Sequence, residues 1–164
     1  MVETRTKPQR LLLLVGSIGP LGHAPASGTV AVAVVGIPFF WWAHDWSLLL
    51  YFPVAVLFTG ASVWLHEVGD RILGEKDSRR LVWDEVAGFM FAIVALPFTW
   101  QVATVAFFAE RCIDIVKVPP ANWIEKRWPG GWGVVGDDVM AGLYTCGLVH
   151  LSIYLWPRAF GLAT

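Results

Sequence analysis

The segment VWDEVAGFMFAIVALPFTWQ, residues 82–101, decides how this chain folds. It begins with two adjacent acids inside its first turn and continues into an uncharged stretch, Val86–Ala109, that contains Pro97. A straight helix over that stretch would be long enough to cross a bilayer, whereas a turn at the proline would make it a hairpin. The distribution of charge along the rest of the chain decides between the two.

The composition indicates a membrane protein. Of the 164 residues 56% are hydrophobic and only 15% are charged, and the mean hydropathy is +0.58. Soluble domains are about a quarter charged, so this chain has more apolar surface than one small core can bury. We therefore predict one integral membrane domain, residues 1–164, with the lipid bilayer as its partner. The net charge of −1 does not indicate nucleic-acid binding. The oligomeric state is left open.

Three other hydrophobic stretches accompany the opening segment. They are Thr29–Ala43, Ser47–Leu65 and Val139–Trp156. A helix needs about 20 apolar residues to cross a bilayer, and no stretch of useful length alternates as a strand would. We predict an all-α fold, an integral membrane bundle of helical hairpins.

Basic residues favour the hairpin. Lys and Arg collect before residue 11, between 66 and 83, and between 110 and 138. Basic loops favour the cytoplasmic side, and the last two groups share that side only if the chain turns at Pro97. We predict arms Leu81–Leu96 and Gln101–Val116, a multi-pass topology, and an active site that faces the cytoplasm.

Two adjacent acidic pairs, Asp84-Glu85 and Asp137-Asp138, stand beside apolar stretches. Burying carboxylates is costly and the paired charges repel, so a divalent cation would stabilise them. Carboxylate oxygens are the protein ligands that Mg²⁺ prefers. We predict a Mg²⁺ site formed by Asp84, Glu85, Asp137 and Asp138. In the alternative, one acid of each pair caps a helix N-terminus.

Glycines surround these pairs. Gly88 and Gly142 each follow an acid by four residues, which places them one turn away. They either leave space beside the carboxylate or allow close helix packing. The run Gly130–Gly133 is predicted to be a flexible loop leading into the second pair.

Arg111, Asp114 and Lys117 recur at intervals of three, so a helix would place them along one face. The simplest interpretation is a surface strip of ion pairs. The functional one is a phosphate site, in which Arg111 and Lys117 bind phosphate oxygens. Asp114 would then be a metal ligand, a base or a nucleophile.

Two weaker signals complete the set. The small-residue loop Gly22–Thr29 precedes a predicted helix, whose first N–H groups favour an anion. Thr29 is therefore a candidate phosphate-binding residue, although Ser27 or Thr29 could equally cap the helix. His66 and Asp70, one turn apart, are explained by a solvated face at the end of the second apolar stretch.

These motifs, in this order, resemble the phosphatidylglycerophosphatase A family of bacterial membrane phosphatases. The resemblance rests on four segments: the loop ending in Gly28-Thr29, residues 82–97, the Arg111–Lys117 strip before two prolines, and GGWGVVGDDVMAGL at 130–143. Two segments depart from the family pattern. Ser27-Gly28-Thr29-Val30-Ala31-Val32 stands where the family usually has Pro-Gly-Thr-x-Gly-Ser, and Lys117-Val118-Pro119-Pro120 where it has Lys-Pro-x-Pro.

The resemblance implies removal of the terminal phosphate of phosphatidylglycerophosphate, giving phosphatidylglycerol in phospholipid biosynthesis. It also implies Mg²⁺ dependence and a place in the bacterial inner membrane. We expect Asp84, Asp114 and Asp138 to be catalytic, with Asp114 orienting a water or forming a phospho-enzyme. Two alternatives stay open: another phospholipid phosphatase or phosphotransferase, and a small non-enzymatic ion-binding membrane protein.

Overall fold

The computed structural model describes residues 5–162, which form seven helices and no strand. These are α1 (Lys7–Gly16), α2 (Ser27–Ala43), α3 (Leu48–Leu73), α4 (Trp83–Ala92), α5 (Trp100–Val116), α6 (Ala121–Arg127) and α7 (Gly130–Leu155). The predicted all-α fold is confirmed. The first four and last two residues of the predicted domain lie outside the described part.

Two helices, α3 and α7, could span a membrane. Each has 26 residues and is apolar enough to do so, and α2 is a shorter apolar helix. Large apolar side chains such as Leu49, Leu57 and Tyr154 are exposed on the outside of the bundle. An outer surface of this kind suits lipid better than water.

The predicted hairpin is present. Helix α4 ends at Ala92, and α5 begins at Trp100 after Thr99, whose hydroxyl accepts a hydrogen bond from the Val102 N–H at 3.1 Å. Glu85 at the start of α4 forms an ion pair with Arg111 near the end of α5, so the two helices run antiparallel. A straight helix through Pro97 is excluded.

The first arm is shorter than the predicted Leu81–Leu96. Helix α4 has 10 residues, about 15 Å, which is roughly half the thickness of a bilayer core. It ends early because Ala95 has a left-handed φ of 56° and because Pro97 disfavours a helical residue before it.

The two later basic segments lie at the same end of the bundle, as the hairpin requires. Lys76 donates a hydrogen bond from Nζ to the Glu125 carbonyl at 3.2 Å. Lys117 Nζ lies 3.0 Å from Glu125 Oε2. These contacts join the segment that follows α3 to α6 and to the end of α5.

The predicted flexible loop at Gly130–Gly133 is wrong, because these glycines form the first turn of α7. Gly131 lies directly against the Val63 carbonyl of α3, and its N–H donates to Glu67 Oε2 at 3.1 Å. A side chain at 131 would prevent this approach. The acids Asp137-Asp138 therefore lie in the third turn of α7, where they cannot cap it.

Gly88 and Gly142 pack α4 closely against α7. A Cβ on Gly142 would collide with the Gly88 carbonyl, and a Cβ on Gly88 would lie 2.7 Å from the Asp138 carbonyl. Close packing is thus the correct interpretation of these glycines. The crossing places the backbone of Asp138 beside α4 and so brings the second acidic pair to the first.

Candidate active site

A cavity of about 760 Å³ opens at the end of the bundle that carries the basic segments. Every site residue predicted from the sequence lines it: Thr29, Asp84, Glu85, Arg111, Asp114, Lys117, Asp137 and Asp138. Asp77, Arg79 and Arg80 also line the cavity. Residues from α2, α4, α5 and α7 therefore meet at one place.

Three carboxylates converge within this cavity. Glu85 of α4, Asp114 of α5 and Asp138 of α7 each offer an oxygen, and these oxygens lie within 4.8 Å of one another. Asp138 is buried, while the other two are partly exposed. An all-oxygen set of like charges at this spacing fits a hard divalent cation such as Mg²⁺. The geometry thus groups Asp114, rather than Asp84 or Asp137, with the other two acids.

Asp84 contacts a histidine instead. His66 of α3 is fully buried, with Nε2 3.2 Å from Asp84 Oδ1 and Nδ1 3.9 Å from Asp70 Oδ2. Neither contact has the geometry of a hydrogen bond, since the first is poorly aligned and the second is too long, so both are electrostatic. The predicted solvated position of His66 is wrong, because α3 continues to Leu73 and the start of α4 covers this face.

Asp137 faces a lysine. Lys117, in a left-handed conformation at the end of α5, places Nζ 2.8 Å from Asp137 Oδ2. Burial alone would lower the pKa of Lys117, but its ion pairs with Asp137 and Glu125 outweigh burial and raise the pKa. Lys117 is therefore a permanent positive charge at the cavity wall, and it is partly open to a ligand.

Arg111 is positioned by Glu110, a residue that the sequence analysis did not identify. Glu110 is fully buried and accepts hydrogen bonds from Arg111 Nε at 2.6 Å and Nη2 at 2.5 Å. The remaining nitrogen, Nη1, pairs with Glu85 and lies 3.7 Å from Asp114 Oδ2. Arg111 thus points one nitrogen at two of the three carboxylates, Glu85 and Asp114. The signal in the sequence was an acid inside an apolar helix, directly beside the arginine.

Replacing Glu110 with Gln should destabilise the protein. The change leaves the Arg111 guanidinium buried with less compensating charge, which typically costs about 3–5 kcal/mol. Thermal unfolding in detergent measures the effect. Glu67→Gln, which alters the exposed pair with Arg71 on α3 and keeps an acceptor for the Gly131 N–H, is the control and should change little. Equal unfolding temperatures for both variants would contradict the buried pair.

The small-residue loop, Gly22–Thr29, closes the cavity beside Glu85. Gly28 lies directly against the Glu85 carboxylate, where a Cβ would collide with it. Ser27 does not cap α2, because its hydroxyl donates to the Arg79 carbonyl at 2.6 Å. The first turn of α2, including Thr29, lines the cavity, and the leading N–H groups of a helix lack intrahelical acceptors. This turn is a suitable anion site.

Comparison with known proteins agrees with the resemblance. The sequence profile of the family described as Phosphatidylglycerophosphatase A matches residues 14–153. A protein of that name from Escherichia coli is 29% identical over 137 residues, covering 83% of this chain and 80% of the relative. Another of that name from Haemophilus influenzae is 33% identical over 85 residues, 51% of this chain and 52% of the relative.

A Bacteroides thetaiotaomicron protein named "Putative phosphatidylinositol-3-phosphatase" is 33% identical over 155 residues, covering 89% of this chain and 96% of the relative. No solved structure matches the chain. The profile match extends over most of the sequence and includes every residue of the cavity discussed above. The non-enzymatic alternative is excluded, since the matched relatives are named as phosphatases. The chain therefore belongs to the phosphatidylglycerophosphatase A family, and it is a phosphatase.

Proposed function

We propose that this protein hydrolyses the terminal phosphomonoester of phosphatidylglycerophosphate, in a Mg²⁺-dependent reaction at the cytoplasmic face of the membrane. The observation that carries the proposal is the convergence of Glu85, Asp114 and Asp138 beside Arg111, in a cavity that also contains Lys117. The names of the relatives support the substrate.

The charge of the cavity supports a metal. Six acids line it, against four basic side chains, those of Arg79, Arg80, Arg111 and Lys117. A phosphomonoester carries close to two negative charges near neutral pH and would be repelled by the carboxylates alone. Glu85, Asp114 and Asp138 would hold the Mg²⁺. When bound, the ion would act as a Lewis acid that polarises a phosphoryl oxygen.

The protein's own groups then have separate tasks. Arg111 Nη1, Lys117 and the first turn of α2 at Thr29 bind the phosphate oxygens, and they stabilise negative charge as it shifts during hydrolysis. Asp84 lines the cavity outside the three-carboxylate cluster, so we assign it to accept a proton from the attacking water. Asp137 keeps Lys117 in place.

The cytoplasmic placement rests on the basic residues. The cavity and the two later basic segments share one end of the bundle. Such segments favour the cytoplasmic side. A lipid phosphate lies at the membrane interface, where this end of a spanning bundle would also lie.

Phosphate release from purified protein tests the proposal. We expect release from phosphatidylglycerophosphate with Mg²⁺, none after treatment with EDTA, and recovery when Mg²⁺ is restored. The loss has a physical cause, since the unneutralised carboxylates would repel the substrate. Phosphatidylinositol 3-phosphate belongs in the same assay because of the Bacteroides relative. Release from that lipid but not from phosphatidylglycerophosphate would overturn the proposed substrate, and full activity in EDTA would overturn the metal requirement.

A further inference from the structure

A second groove adjoins the catalytic cavity. It has a volume of about 200 Å³, and it combines arginines with leucines. Its lining is Arg5, Arg10, Arg80, His23, Ser17, Leu13, Leu14 and Leu73. Arg80 and His23 line the catalytic cavity as well, so the groove and the cavity share a wall.

The backbone at this wall is fixed. The Ser27 hydroxyl donates to the Arg79 carbonyl at 2.6 Å, and the Arg80 carbonyl lies directly against Gly22. Two residues further on, the Val82 N–H donates to the Gly16 carbonyl of α1 at 3.1 Å. The Arg80 side chain therefore projects from a peptide that is anchored between α1 and the small-residue loop.

Two arginines of the groove carry a charge that no acid of the described residues neutralises. Arg10 and Arg80 are not paired with an acid anywhere in residues 5–162, and Arg80 is exposed. On α1, Leu11 and Leu14 are largely exposed, which is typical of a helix lying at a membrane interface. Positive charge beside leucines in one groove complements a phospholipid, in which a phosphate adjoins acyl chains.

We propose that this groove binds the phosphodiester of the substrate lipid. The inference rests on the proposed function, because phosphatidylglycerophosphate has a terminal phosphomonoester and a second phosphate that joins its two glycerols. The monoester occupies the catalytic cavity, and Arg80 with Arg10 binds the bridging phosphodiester. Leu13 and Leu73 contact the start of an acyl chain. Arg80 is thus a specificity-determining residue that never touches the reacting phosphate.

Arg80→Gln tests this assignment, with Lys126→Gln as the matched control. Lys126 is exposed on α6 and lines neither the cavity nor the groove, and its replacement removes the same charge. We expect Arg80→Gln to raise KM for phosphatidylglycerophosphate about tenfold with kcat nearly unchanged, because a charge-assisted hydrogen bond is lost. Lys126→Gln should leave both constants as in the unmodified protein.

Two inhibitors separate the subsites. Short-chain phosphatidylglycerol has the phosphodiester without the monoester, and its inhibition constant should rise about tenfold in Arg80→Gln. Inorganic phosphate competes for the catalytic cavity, and its inhibition constant should not change. An unchanged KM and unchanged phosphatidylglycerol inhibition would overturn the phosphodiester site, as would equal effects in Lys126→Gln. Absence of phosphatidylglycerophosphate hydrolysis in the unmodified protein would instead overturn the proposed function.

Discussion

Asp138→Asn is expected to abolish phosphate release while leaving the protein folded. The Asp138 carboxylate is buried in α7 and lies in the three-carboxylate cluster with Glu85 and Asp114. Asparagine keeps the shape but removes the charge that would hold the cation. A loss of at least about 100-fold follows if only a few kcal/mol of transition-state stabilisation depend on the metal.

Thermal unfolding distinguishes this effect from misfolding. Asp138→Asn relieves repulsion among the three acids, so we expect it to unfold at or above the temperature of the metal-free unmodified protein. Added Mg²⁺ should stabilise the unmodified protein and no longer stabilise the variant. Asp45→Asn, an exposed change in the turn between α2 and α3, is the control and should keep activity and Mg²⁺ stabilisation. Wild-type activity in Asp138→Asn would remove Asp138 from the site.

Gly142→Ala should both destabilise the protein and inactivate it. The new Cβ would collide with the Gly88 carbonyl and lie 3.1 Å from the Ala92 backbone nitrogen, and backbone atoms cannot move aside as a flexible side chain can. Overpacking of this kind costs about 1–3 kcal/mol. Because α4 carries Glu85 and α7 carries Asp138, any separation of the helices also opens the carboxylate cluster.

The same helix provides the matched control. A Cβ at Gly147, also in α7, has no neighbour within 4 Å, so Gly147→Ala should be neutral or slightly stabilising. Thermal unfolding in detergent and phosphate release measure both variants. Equal unfolding temperatures for the two would show that α4 and α7 do not cross at these glycines.

The hairpin was predictable because two independent signals agreed. Pro97 interrupts the helix locally, and the basic residues require their two segments to share one side. The start of α7 was not predictable in the same way. Gly130–Gly133 has the composition of a loop, and its helical structure depends on a close contact with the Val63 carbonyl, far away in the sequence. Tertiary contact here overrides local propensity.

The residues that line the cavity were predictable, but the arrangement of its acids was not. Adjacent residues on a helix point about 100° apart, so Asp84 and Glu85 have different neighbours. The structure divides each pair: Glu85 and Asp138 join Asp114, while Asp84 and Asp137 face His66 and Lys117. The partner that divides a pair comes from another helix, and the sequence does not show which helix that is.

The most direct test of the carboxylate site is a structure of the protein with Mn²⁺ in place of Mg²⁺, determined by anomalous diffraction at the manganese edge. Mn²⁺ shares the preference of Mg²⁺ for carboxylate oxygens and gives an anomalous signal. We predict a manganese peak coordinated by Glu85, Asp114 and Asp138. A peak held by Asp84 and Asp137 without those three acids, or no peak in the cavity, would contradict the site.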